Sequence, residues 1–236
     1  STSSTPLPRL SAKGWMLSHT NLVIPAGAAD ALSELGRYLS SAPLLVVISG
    51  PSGVGKDSVI KRMRELGHSF HFVVTATDRP PRPGEVDGLD YHFLSAAEFE
   101  RMTAADEFLE HAQVYGQHKG VPKVHARQAL ASGQDVIMRL DVQGAATVRD
   151  KAPGAVTIFI APPSLEALVS RLRRRPGDSA DQLRERLDSA LSEMGLISAF
   201  DYVVINRENL LDEAVADIAA IMQAERLRVG RPEVIL

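Results

Sequence analysis

Gly50-Pro51-Ser52-Gly53-Val54-Gly55-Lys56 follows directly on the apolar run Leu44-Leu45-Val46-Val47-Ile48 and runs into a helical pattern from Asp57 to Leu66. Gly, four residues, Gly and Lys between a buried strand and a helix is the arrangement of a phosphate-binding loop. Backbone N–H groups and the positive end of the helix dipole converge there on an anion. Glycines allow close wrapping, and Lys56 adds a mobile full charge. A glycine-rich turn closing a hairpin is the rival reading; Lys56 and both flanks argue against it. Walker-type loops place Ser or Thr directly after the lysine, on Mg²⁺. Asp57 stands there, followed by Ser58. A carboxylate is also a good Mg²⁺ ligand, so Asp57 and Ser58 are the candidate metal ligands.

Outward from the loop, short apolar runs alternate with helical periodicity. Strands are expected at Leu44–Ser49, Phe72–Ala76, Val136–Leu140, Val156–Ala161 and Tyr202–Asn206. Leu165, Leu168, Val169 and Leu172 keep helical spacing, as do Leu211, Val215, Ile218 and Met222. Strands separated by helices predict an α/β fold, a parallel sheet with helices on both faces. Residues 77–125 break the pattern with Pro80, Pro81, Pro83, Gly84 and Gly88, then with alternating runs such as Tyr91-His92-Phe93. They read as a small, mostly β insertion. A basic segment around Pro176-Gly177, within residues 173–186, reads as a short lid between two helices. The main domain is expected over 43–230, with an N-terminal extension over 1–42 (a helix near Ala28–Leu39) and a tail over 231–236.

A length of 236 residues, 44% hydrophobic, allows one good core with a small insertion. The net charge of −3 argues against a general nucleic-acid coat. No run approaches the ~18 apolar residues of a membrane span. The lack of cysteine excludes disulfides and thiolate metal sites. The chain starts at Ser1, and residues 1–29 hold no Asp or Glu, many Ser and Thr, and Arg9 and Lys13. That composition suits an organelle transit-peptide remnant, and equally an unstructured tail or an expression scar.

Other motifs narrow the class. Thr77-Asp78-Arg79-Pro80-Pro81-Arg82-Pro83-Gly84-Glu85 is followed by Asp90-Tyr91, then by Phe108-Leu109-Glu110-His111-Ala112, Asp141-Val142-Gln143-Gly144 and Pro162-Pro163-Ser164. From about Leu44 to about Arg228 the chain resembles guanylate kinase. Lys119-Gly120-Val121-Pro122-Lys123 and Arg139-Leu140-Asp141 look most like the plant organellar branch. The resemblance implies a P-loop nucleoside-monophosphate-kinase fold. It also implies transfer of the ATP γ-phosphoryl group to GMP or dGMP with Mg²⁺, by a monomer in a plastid, or also in a mitochondrion. Gly50, Pro51, Ser52, Gly53, Val54, Gly55, Lys56, Asp57, Ser58 and Asn206 would then serve ATP. Thr75, Arg79, Arg82, Tyr91, Lys119, Glu110 and Asp141 would serve GMP, and Lys56, Arg171, Arg175 and Arg186 the moving phosphoryl group.

The residue types suit that chemistry. Two polyanions must be brought together, so cations are needed at separated places. Arginine's planar fork meets phosphate bidentately. Arg171 and Arg175, four apart, would share one helical face. Carboxylates such as Glu110 and Asp141 accept from guanine's ring N–H and amino group, which adenine does not match. Bland readings compete: solvated loop for Arg79 and Arg82, charged helix end for Arg171 to Arg175, polar sheet face for Glu110, core packing for Tyr91.

Four positions depart from the family pattern: Asp57, Lys119 for a usual tyrosine, Val121 for a usual hydroxyl residue and Arg139 for a usual Asp. Without that hydroxyl, GMP binding is expected to be weaker than in a typical member, with preference over AMP retained. The alternatives are a catalytically inactive guanylate-kinase-like protein-binding module and a related small-molecule kinase, such as one for sugar bisphosphates. Lys56, Arg171, Arg175 and Arg186 speak against the first, and Glu110, Asp141 and Tyr91 against the second.

Overall fold

The computed structural model describes residues 42–114, 117–174 and 179–236. The N-terminal extension with its expected helix, and Arg175 with the Pro176-Gly177 centre of the lid, lie outside the described residues. In chain order the elements are β1 (Leu45–Ser49), α1 (Lys56–Glu65), β2 (His71–Phe72), β3 (Ala76–Thr77), β4 (His92–Phe93), α2 (Ala96–Ala104), β5 (Phe108–Val114), β6 (Gln117–Pro122), α3 (Lys123–Ala131), β7 (Val136–Arg139), α4 (Val142–Lys151), β8 (Val156–Ala161), α5 (Leu165–Arg173), α6 (Ala180–Met194), β9 (Tyr202–Ile205) and α7 (Leu211–Arg226).

Five strands form a parallel sheet in the order β2-β7-β1-β8-β9. Successive residues of the first apolar run face opposite ways. Leu44, Val46 and Ile48 pack with Val59, Ile60 and Met63 of α1 and with Val215, Ile218 and Met222 of α7. Leu45 and Val47 join Val136 and Met138 of β7 and Ala145 and Val148 of α4 on the other side. Helices therefore cover both faces, and for that reason β1 reads as an unbroken apolar run. Each of the larger side chains among these (Val, Leu, Ile and Met) contributes roughly 1.5–3 kcal/mol on burial.

A second sheet has the order β4-β3-β6-β5, with β6 antiparallel to both β3 and β5. Phe99 of α2 stacks on Phe108 of β5 with ring centroids 4.5 Å apart, which closes a small separate core with Ala76.

The single strand expected over Phe72–Ala76 is divided between the two sheets. His71 and Phe72 pair with Val136 and Ile137 of β7, whereas Ala76 and Thr77 pair with Gly120 and Lys119 of β6. The Val73 N–H still donates to the Ile137 carbonyl at 3.0 Å, and the Thr75 carbonyl accepts from His92 N–H at 3.0 Å. The segment is thus a crossover whose apolar character reflects burial at both ends. Expected ends elsewhere shift by about one residue, as assignment of ends usually does.

Candidate active site

The loop after β1 sits at the carboxyl ends of the parallel strands, where open α/β sheets bind ligands. Its backbone is held in shape from within and from behind. Gly50 has φ +131°, and a Cβ there would lie 2.2 Å from the Ile160 carbonyl oxygen of β8. Gly50→Ala is therefore expected to cost roughly 3 kcal/mol. Denaturant unfolding checks this; a loss below about 1 kcal/mol would contradict the close packing of loop on strand. Gly55, at φ +98°, is the N-cap of α1 and offers no capping side chain, so the N–H groups of Lys56, Asp57 and Ser58 stay open to an anion.

From behind, Asn206 Nδ2 donates to the Val54 carbonyl at 2.8 Å. Arg171 reaches the same carbonyl at 3.1 Å and the Asn206 carbonyl at 2.8 Å. Asn206, one of the residues expected to serve ATP, is buried, braces the loop from behind and is outside the cleft lining. Val54 is buried too.

In front of the loop lies a cleft of about 680 Å³. The loop, Lys56, Asp57 and Ser58 form one wall. Thr75, Tyr91, Glu110 and Lys119, from the second-sheet side, face it. Arg139 and Asp141 close it at the end of β7, and Arg171, Arg174 and Glu193 at the helices. Lys56 folds onto its own loop, donating to the Gly50 carbonyl and, at 3.0 Å, to that of Pro51. Burial lowers its pKa, a shift opposed by the carboxylates of Glu193, Asp57 and Asp141. Arg139 donates to Asp57 Oδ1.

The far end of the cleft is acidic. Glu110 is 8% exposed and has no hydrogen-bond partner among the described residues. Burial, and secondarily the charge of Asp141, pushes its carboxyl up to about 7. Asp141 caps α4, accepting from Gly144 N–H at 2.8 Å. A Cβ on Gly144 would come within 3.2 Å of the Glu110 carboxyl carbon, so the glycine leaves room for that side chain. Val121 is paired with Glu110 across β5 and β6 and is buried.

Arg79 is also 8% exposed. Its guanidinium meets both Glu85 oxygens at 2.6 Å and stacks over the Tyr91 ring at 4.9 Å. Glu85 is thereby held down at about 2. Lys119 Nζ lies 5.9 Å from the centre of the same tyrosine ring. Arg79 and Arg82 are outside the lining, Arg82 exposed; Arg186 is half-buried on α6, also outside it. Arg175 lies outside the described residues, and α5 ends at Arg173.

One lining residue had no sequence signal. Glu193 approaches Lys56 from α6, its carboxyl pushed up by burial. Only tertiary packing brings an ordinary amphipathic-helix acid to that place.

A phosphate loop on a parallel sheet, facing a polar cleft walled by a second small sheet, defines a P-loop phosphotransferase acting on a small phosphorylated acceptor. The guanylate kinase family profile matches residues 43–225. Guanylate kinase 2, chloroplastic/mitochondrial, of Oryza sativa subsp. japonica is 46% identical over 207 residues, covering 84% of this chain and 73% of that protein. The guanylate kinase of Gloeobacter violaceus is 46% identical, covering 84% of this chain and 93% of its own. A crystal structure of guanylate kinase from Anaplasma phagocytophilum superposes with a TM-score of 0.63 at 31% identity, over 81% of this chain and 90% of that one. The chain belongs to the guanylate kinase family, and its activity is phosphorylation of GMP by ATP. None of these findings favours an inactive protein-binding module.

Proposed function

We propose how this cleft divides between its two nucleotides. The observation that carries the division is Glu110, an almost buried carboxylate with no hydrogen-bond partner among the described residues, at the acidic end of the cleft beside Asp141. Leaving such a group unanswered is costly. Guanine answers it, because its N1–H and 2-amino group present two adjacent donors; adenine has an acceptor at N1 and nothing to donate at C2. Glu110 and Asp141 therefore take the base of GMP or dGMP. Tyr91, Lys119 and Thr75 line the same cleft, and the Arg79–Glu85 pair stands behind the Tyr91 ring. With Arg82 they form the phosphate side of the acceptor site. ATP takes the loop Gly50–Lys56, its phosphates on the open N–H groups of α1, with Arg171 at the rim and Arg175 and Arg186 supplied by the lid over 173–186.

A GMP phosphate oxygen then attacks the γ-phosphorus of ATP while the bond to the β–γ bridging oxygen breaks. No general base is required, since a phosphate monoester has its second pKa near ~6 and is mostly dianionic at neutral pH. Lys56 and the arginines hold the reactants in line and offset the charge on the moving group.

Mg²⁺ fits as a partner of the nucleotide. Among the described residues no three acidic or histidine side chains cluster as a resident metal site. Mg²⁺ on ATP needs only one or two carboxylates besides phosphate and water, and the Asp57 side chain, 76% exposed, stands at the loop with Ser58 next to it. When bound, the ion would neutralise charge on the β- and γ-phosphates.

A plastid location, or additionally a mitochondrial one, is supported by the acid-poor residues 1–29 and by the name of the rice relative. Fractionation of the native source tests it, and size-exclusion chromatography tests the monomer. The division of the cleft is tested by a coupled assay offering GMP, dGMP and AMP with ATP, at graded Mg²⁺. Equal turnover of AMP and GMP would sink the assignment of Glu110 and Asp141, and turnover indifferent to chelation would sink the metal.

A further inference from the structure

P-loop enzymes carry a hydroxyl after the loop lysine and a carboxylate on a neighbouring strand, both serving Mg²⁺. In this chain the charges stand otherwise. The carboxylate, Asp57, is in the first turn of α1, and the end of the strand beside β1 carries a cation, Arg139, in register with Ile48. The two side chains are bonded to each other across 82 residues of sequence. The fold gains little from that bond: the Asp57 side chain is 76% exposed and that of Arg139 27%, and exposed pairs add little stability. Its consequence is electrostatic and local. An acid in the first helical turn is attracted by the same N–H groups that must receive phosphate, and it repels a polyanion arriving there.

We propose that Arg139 is a positioning residue for ATP binding: by pairing with Asp57 while no Mg²⁺ is bound there, it draws that carboxylate aside and cancels its charge, so that the loop accepts polyphosphate despite an acid directly after Lys56. The inference rests on the loop being the ATP site. It differs from simple attraction, in which Arg139 would act on phosphate as one more cation whatever stands at 57.

The distinction is measurable without metal or turnover. ADP binding is followed by calorimetry in EDTA at low salt for the unaltered protein, Arg139→Ala, Arg139→Lys, Asp57→Ser and the double variant Asp57→Ser/Arg139→Ala. Arg139→Ala is expected to weaken binding roughly tenfold, Arg139→Lys to keep most of the affinity, and the double variant to bind within about threefold of Asp57→Ser alone. Added salt shrinks the first loss, as it screens the unmasked carboxylate. Unfolding midpoints without nucleotide stay close to one another, which a purely structural role would not give. An Arg139→Ala loss of the same factor in both backgrounds, or none with Asp57 present, overturns the masking. If the unaltered protein does not bind ADP, the ATP assignment of the loop falls first and the masking with it.

Discussion

Replacing Lys56 by alanine is expected to lower kcat for GMP phosphorylation by at least roughly a thousandfold while the protein stays folded. The side chain is separate from the two apolar clusters that flank the parallel sheet. Its own bonds go to the Gly50 and Pro51 carbonyls, a parking place that a nucleotide can displace. The loop keeps its form without it, through Gly50 against Ile160 and through Asn206 and Arg171 on the Val54 carbonyl. What disappears is the ammonium at the centre of the cleft. Partial burial makes each unit of charge there count for more than it would in water. Its pKa, lowered by burial, reflects the same environment. Arginine is not expected to replace it, because its longer planar head does not match a point-charge site between loop carbonyls. A coupled assay gives the rate and a circular-dichroism melt the folding; a folded variant within tenfold of the parent kcat would remove Lys56 from the reaction.

Legibility in the sequence followed the physics of burial. The parallel strands could be read because both their faces are covered, so apolar residues run on without polar interruption. The phosphate loop could be read because its glycines, lysine and flanks are local. The second sheet was legible only as a region: β3 and β4 have two residues each, too few for a period of two to show. The crossover between the sheets looked like one strand for the same reason. At the site, the types were readable and the partners were not. Asp57 and Arg139 stood out singly as departures; their contact depends on β7 lying beside β1. Asn206 could be read as a polar residue at a strand end; that its amide donates to the Val54 carbonyl behind the loop could not. Glu193 gave no signal, since α6 carries it to Lys56 by packing alone.

Glu110→Gln is expected to reduce GMP turnover at low substrate by roughly a hundredfold or more and to narrow the preference for GMP over AMP. It should also stabilise the empty protein at alkaline pH. Both effects come from one buried carboxyl whose pKa rises from 4.5 to about 7. Between those values the folded protein holds a proton that the unfolded chain has released, so stability falls as pH rises through that window. The full cost above pH 7 is about 3 kcal/mol, on the order of 1.4 kcal/mol per unit. Glutamine carries no such cost, so its gain should be seen at pH 8 and vanish near pH 4, as measured by denaturant unfolding. Binding has the opposite sign. Guanine's donors need the ionised carboxylate, so GMP affinity rises with pH and levels off above 7. At pH 6 the carboxyl accounts for about a tenfold weakening relative to pH 8. Ionisation of the GMP phosphate adds about twofold over the same range. In Glu110→Gln only that smaller part should survive. A parent protein whose GMP affinity changes by no more than the phosphate's share between pH 6 and 8 would take Glu110 away from the base.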